Sequence, residues 1–281
     1  MRILELSIPH ATDEGTFHSA TKLLQSIGNA GFNVVYVLPW FKINRRASPS
    51  PYAVVDYYFT NEMLGNIKDA AHWIRCCHDY GLEVVLDIPL NHTSPFHSWR
   101  AKDDWYARNE QGEFHAPLGT AWSDVLQLNH QNPQVSKSCA EVLQFWLEQG
   151  VDGFRLDAAS FISGASLTAW STVLNRAKHV WCDDVQLAQR YRYFTSFFNH
   201  GAFLQAQSNV DAWKDVIAST EDCGILYLSN HDTLHAGRSP RDQWGIQYES
   251  MRSSMVTSTH HHLLSWSDWK DPDACYSFLN S

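Results

Sequence analysis

The chain has 281 residues, with 21 Lys and Arg against 30 Asp and Glu, and a formal net charge of −9. Its 44% hydrophobic and 18% charged residues can fill a sizeable core and exclude a chain disordered throughout. The acidic balance excludes nucleic acid as an expected partner, because binding a phosphate backbone needs clustered Lys and Arg.

Residues 1–10 (MRILELSIPH) carry a charge at Glu5 and lack the long apolar core of a secretion signal. No later stretch reaches the roughly 18 uncharged apolar residues of a membrane helix. A cytoplasmic location with no membrane partner is the expectation. Six cysteines include the adjacent Cys76 and Cys77 but no CxxC pair, so they are read as small core side chains rather than metal ligands or redox centres.

Strand-length apolar runs alternate with stretches of helical periodicity. Residues 3–8 precede a helical stretch at 16–29, residues 34–40 precede 66–80, and residues 84–90 precede 133–149. The next units are 153–158 followed by 166–178, a short run at 180–185, and 224–229 as a sixth strand. Runs such as Asn33-Val-Val-Tyr-Val-Leu and Glu83-Val-Val-Leu-Asp-Ile suit strands covered on both faces, as parallel sheets are. Strand and helix in alternation mean βαβ units, and eight of them at about 35 residues each make a (β/α)8 TIM barrel, possibly abbreviated. The last two strands are expected at residues 253–257 and 274–279. An open doubly wound sheet would be expected to carry a phosphate turn, and neither GxGxxG nor GxxxxGK[ST] is present. Gly31, Gly81 and Gly150 stand just before strands, as helix C-caps feeding short turns do.

One barrel domain is therefore expected over 1–281. Two connections, 41–65 and 93–132, are too long for simple turns. Both follow strands and so belong to the carboxyl-end face, where such barrels hold their active sites. The second, a long loop or small subdomain after the third strand, carries Trp99, Trp105, Tyr106 and Trp122, which suit either a stacking platform or packing of the loop on itself.

Three apolar runs end in polar clusters: Val84-Val-Leu-Asp87-Ile-Pro-Leu-Asn91-His92, Gly153-Phe-Arg155-Leu-Asp157, and Ile225-Leu-Tyr-Leu-Ser-Asn230-His231-Asp232. At matching strand ends, three such clusters converge on one barrel mouth. With Ser50-Pro-Tyr52-Ala-Val-Val-Asp56-Tyr57 and Leu128-Asn129-His-Gln-Asn-Pro133-Gln-Val135, in this order and spacing, the sequence resembles the α-amylase-type glycoside hydrolases from about residue 3 to residue 232.

The resemblance implies retaining chemistry on an α-glycosidic bond or an activated sugar, with a saccharide as partner. Asp157 would be the nucleophile that forms a glycosyl-enzyme intermediate. Arg155, two residues earlier on the same strand face, would keep it ionised. Asp232 would grip the sugar 2- and 3-hydroxyls, and His92 and His231 would donate to sugar hydroxyls. Tyr52 would stack on the ring, with Trp40, Asp56 and Asn230 as further substrate-binding positions.

The family pattern also places a general-acid Glu at the end of the fifth strand. Between Asp157 and His231 the sole Glu is Glu221, so Asp183 and Asp184 are the substitutes, each one methylene shorter. No cofactor is expected. Phe161 occupies a place where calcium-dependent members often carry a His, which argues against calcium on Asn91. His260–His262 makes a poor metal site because consecutive residues face different ways. Beyond Asp232 neither the expected Gly-rich turn nor a C-terminal β-sandwich is visible. The resemblance therefore implies a minimal, divergent member. Two readings follow: an enzyme of glycosidase, transglycosidase or isomerase type, or a catalytically silent barrel that binds a saccharide or a protein partner.

Overall fold

A computed structural model describes residues 1–198, 210–219, 223–228, 230–231, 245–256 and 261–266. Eight parallel strands close into a barrel, the expected architecture. They are β1 (Arg2–Leu6), β2 (Val34–Val37), β5 (Glu83–Ile88), β8 (Gly153–Leu156), β9 (His179–Cys182), β10 (Ser196–Phe198), β11 (Gly224–Tyr227) and β12 (His261–Ser265). Each pairs in parallel with the next, and β12 closes on β1 through Arg2 and His262. Among the described residues no helix is long and apolar enough to cross a membrane.

Alternation along the strands explains the two cores. Leu4, Val35, Val84, Leu86, Phe154 and Val180 point outward and pack against the helices, including Ile67–Asp79 and Pro133–Glu148. Ile3, Val34, Val85, Trp181, Phe198, Ile225 and Leu263 fill the barrel's interior. The same parity turns Glu5, Tyr36, Asp87 and Arg155 inward, one pleat nearer the carboxyl end. A dry lower layer thus supports a polar upper one.

Two glycines show why these turns and contacts need no side chain. Gly150 leaves the helix Pro133–Glu148 at φ +104, where an L side chain is strained. At Gly153 a Cβ would meet the His179 carbonyl oxygen at 2.1 Å, so only glycine lets β8 lie against β9.

The chain from residue 180 onward departs from the expectation. The sixth barrel strand is the three-residue β10, which is too short to show a period, so β11 is the seventh and Asn230 and His231 follow that one. Residues 253–256, expected in a strand, belong to the helix Tyr248–Val256. The eighth strand is β12 rather than 274–279, which lie outside the described residues. The run at 180–185 splits into β9 and the start of the helix Val185–Arg190.

The two long connections each hold a ribbon. Residues 41–65 contain β3 (Phe41–Ile43) paired antiparallel with β4 (Val54–Thr60), and the excursion after β5 contains β6 (His92–Thr93) paired with β7 (Leu126–Gln127). Trp99, Trp105 and Tyr106 are buried, and Trp99 packs on Trp105, Tyr57 and His97, so these rings pack the excursion on itself. Trp122 is 41% exposed.

Candidate active site

Arg155 organises the mouth of the barrel. Its register partner on β5 is Asp87, and its Nη1 donates to both Asp87 oxygens at 3.0 Å and to Asp157 Oδ1 at 2.7 Å. Nε and Nη2 donate to Asp183 Oδ1 and Oδ2 at 3.2 and 2.5 Å. Burial works against the guanidinium's charge, yet the carboxylates of Asp183, Asp87 and Asp157 hold its pKa well above the usual value.

Exposure then separates the three acids. The Asp87 side chain is fully buried and its Oδ2 also accepts from Tyr36 Oη at 2.6 Å and Tyr52 Oη at 2.7 Å. Burial, then the Asp87 charge, raise both tyrosine pKa values well above the ordinary range, so both remain donors. Asp87 is thus held entirely by protein donors. The Asp157 side chain is 14% exposed and Asp183 is 32% exposed, so both reach solvent from the same clamp.

His231 approaches from the far side of the barrel. Its Nδ1 lies 2.6 Å from Glu5 Oε1 and its Nε2 lies 2.8 Å from Tyr52 Oη, while its ring stacks on Tyr52 at 5.9 Å. Tyr52 donates its proton to Asp87, so its oxygen accepts from Nε2. Both ring nitrogens of His231 are therefore committed to protein partners, and donation to a sugar hydroxyl would require exchanging the Tyr52 bond.

A cavity of about 140 Å3 opens beside Asp157, lined by Ser50, Tyr52, His92, Trp122 and Asp124. The His92 ring lies 5.3 Å from that of Trp122. Burial lowers the His92 pKa to about 4, against the pull of the Asp124 charge, so the imidazole is neutral at pH 7. Tyr52 and His231 also border a larger, mainly apolar cavity of about 500 Å3 near Pro9, Leu38, Pro39 and Phe41.

The expected site residues therefore divide. Arg155, Asp157, Asp183, Tyr52, His92 and His231 converge. Asp184 does not: its Oδ1 caps the helix Val185–Arg190, accepting from Gln186 N at 2.8 Å and Leu187 N at 3.0 Å. Trp40 borders the larger cavity but is a core residue at 1% exposure, packed on Phe17, Trp73 and Trp146. Asp56 accepts from Tyr58 N at 2.9 Å within β4 and does not line the smaller cavity. Asn230 is buried beyond the end of β11, and Asp232 lies outside the described residues.

The Asn91 side chain is paired with another amide. Gln127 Nε2 donates to the Asn91 side-chain oxygen at 2.7 Å, and the Asn91 amide donates to Gln127 Oε1 at 3.1 Å. This reciprocal amide pair ties β7 to the segment that follows β5. Among the described residues no group of three or more His, Cys, Asp or Glu is arranged to hold a metal ion.

Sequence reasoning names Asp87 within the polar cluster of the third strand but gives it no role, and does not single out Glu5, Tyr36, Asp124 or Gln127. For Glu5, Tyr36 and Asp87 the available signal is strand parity, since a buried Glu5, Tyr36 or Asp87 at an inward position has to be partnered by something in the mouth. Asp124 and Gln127 sit in the excursion, where no period exists to read.

Comparison with known proteins bears on the family and the fold. The family model described as "Alpha amylase, catalytic domain" matches residues 9–120 and 100–196. The chain is 27% identical over 274 residues to a 4-alpha-glucanotransferase of Thermotoga neapolitana, covering 86% of this chain and 55% of that one. It is 25% identical over 267 residues to Alpha-amylase 3 of Dictyoglomus thermophilum, covering 78% and 53%. The chain thus spans about half the length of these two curated relatives. In fold it is similar to the crystal structure of an alpha-amylase from Lactobacillus plantarum, with a TM-score of 0.78 at 20% identity over 94% of this chain and 70% of that one. With the family model matching well over half of the residues, and the barrel closed around the expected strand ends, the chain belongs to the α-amylase family.

Proposed function

We propose that this protein cleaves or transfers α-glycosidic bonds, or acts on an activated α-glycosyl donor, with Asp157 as the nucleophile. What carries the reading is the pairing of Asp157 with Arg155 at 2.7 Å at the edge of a small polar cavity. A carboxylate held ionised beside a space for one sugar ring suits attack on an anomeric carbon. Protonating Asp157 would also remove a counter-charge from a buried guanidinium, which keeps the carboxylate in its nucleophilic form.

Within this reading Tyr52, His92 and Trp122 form the walls that meet the sugar. His92, neutral at pH 7, offers one donor and one acceptor. Asp183, with both oxygens held by Arg155, acts as a positioning counter-charge for the guanidinium. Asp232 keeps its proposed part in gripping the 2- and 3-hydroxyls.

The test is turnover of α-glucosyl fluoride, whose leaving group needs little protonation. Wild type should release fluoride, and a 5-fluoro glycosyl fluoride should leave a covalent mass adduct on the peptide containing Asp157. Asp157→Asn should abolish both. If wild type releases no fluoride and forms no adduct, while oligosaccharides raise its melting temperature, the protein is a saccharide-binding barrel instead.

A further inference from the structure

Attack by Asp157 needs a second carboxyl group to protonate the departing oxygen, and neither fifth-strand candidate is suited to that task. Asp183 has both oxygens on Arg155, and Asp184 caps a helix. Among the described residues, one further carboxyl group lines the cavity of Asp157: Asp124, contributed by the excursion after β5. We propose that Asp124 is the catalytic acid and base of this protein, an inference that rests on the function proposed above.

The surroundings of the two carboxyl groups differ. Asp157 is bonded to a guanidinium, which favours the charged form. Asp124 Oδ2 is instead bonded to the Ser48 hydroxyl at 2.5 Å. A hydroxyl donates to a carboxylate and accepts from a carboxylic acid, so it serves Asp124 in either protonation state. That is the property a group needs if it must give up a proton and take one back. Ser48 is itself buried and its Oγ also accepts from Ser50 N at 3.0 Å, so the anchor is fixed by the turn that carries Ser50 and Tyr52.

The cavity of about 140 Å3 is small enough for its walls to face one bound ring. Asp157 enters from the end of β8 and Asp124 from the excursion, with His92 and Trp122 also on the wall. In the first step Asp157 attacks C1 while the bond from C1 to the leaving oxygen breaks. The Asp124 proton passes to that oxygen, leaving Asp124 as a carboxylate. In the second step water, or a sugar hydroxyl in transfer, attacks C1. Its proton passes to Asp124 and the ester to Asp157 breaks. Atoms and charge balance over the cycle, and no other reactant is needed.

The experiment compares wild type, Asp124→Asn, Asp183→Asn and Asp157→Asn on maltose and on α-glucosyl fluoride, with and without azide. Asp124→Asn should lower kcat/KM on maltose by about 10²- to 10⁴-fold, as loss of a general acid does, and lower the first step on the fluoride far less. With azide it should yield α-glucosyl azide, because an anion needs no base to attack the intermediate. Ser48→Ala should shift kcat on maltose in the same direction by a smaller factor. Melting temperatures of both variants within a few degrees of wild type show that they fold. Asp124 is overturned if Asp124→Asn changes both substrates equally or neither, or if azide rescue belongs to Asp183→Asn. A wild type inert on the fluoride, or an Asp157→Asn variant as active as wild type, sinks the underlying function instead.

Discussion

Three buried histidines should make this fold sensitive to mild acid. Burial lowers the pKa of His92 and His130 to about 4 and that of His97 to about 3, from an ordinary 6.5. The unfolded chain takes up these protons near pH 6.5 and the native one does not. Stability is therefore fully present above pH 6.5, falls as pH drops below it, and stops falling for each group once pH is below its folded value. At pH 5 the gap is about 1.5 pH units per histidine. At about 1.36 kcal/mol per unit this is about 2 kcal/mol each and about 6 kcal/mol for the three, comparable with the whole stability of many domains.

His97→Asn isolates one share. His97 Nδ1 accepts from Trp99 N at 3.0 Å as the cap of the short helix Ser98–Ala101, and an Asn oxygen can replace that acceptor without titrating. Urea unfolding followed by tryptophan fluorescence, at pH 7 and pH 5, gives both free energies. The variant should be less stable at pH 7, because its ring contacts with Tyr57 and Trp99 are gone. Its loss between pH 7 and pH 5 should be smaller than wild type's by about 2 kcal/mol. An equal loss in both proteins would refute the reasoning.

Gly153→Ala should cost about 4 kcal/mol or more, because the new methyl meets backbone rather than a movable side chain; a melting temperature near wild type would contradict this packing. Asp87→Asn should cost about 3–5 kcal/mol by denaturant unfolding, since it sets an amide donor among three groups that all donate to this position. EDTA should leave the melting temperature unchanged, the Asn91 side chain being paired with the Gln127 amide, and a drop reversed by calcium would show a bound ion. Gln127→Ala should lower the melting temperature by several degrees, because it leaves the buried Asn91 amide and oxygen without their partner.

Most of the barrel was legible because its strands are apolar on both faces and separated by helical periods, as at Val34–Val37 and Ile67–Asp79. The short β10 was not, since three residues carry no period and their neighbours do not bracket them with turn residues. The displaced seventh and eighth strands follow from that omission, which moves each later strand by one place, and residues 253–256 belong to a helix. In the site, strand-end clusters located Arg155, Asp157 and His92, because a charged group closing an apolar run must be desolvated unless it opens into a polar mouth. Asp184 caps a helix that begins one residue later, a local feature, whereas the fate of Trp40 as core depended on neighbours far along the chain. Asp124 needed coordinates for the same reason, its wall of the cavity being built from residues 48–52 and the end of β8.

The guanidinium of Arg155 grips side chains from the ends of β5, β8 and β9, three staves that stand next to one another in the barrel. Slippage of any stave against its neighbour therefore alters the field felt by the Asp157 carboxylate. The geometry of the mouth becomes a gauge of how well the cylinder is assembled, and a change meant only to retune the mouth will be felt in the wall below it.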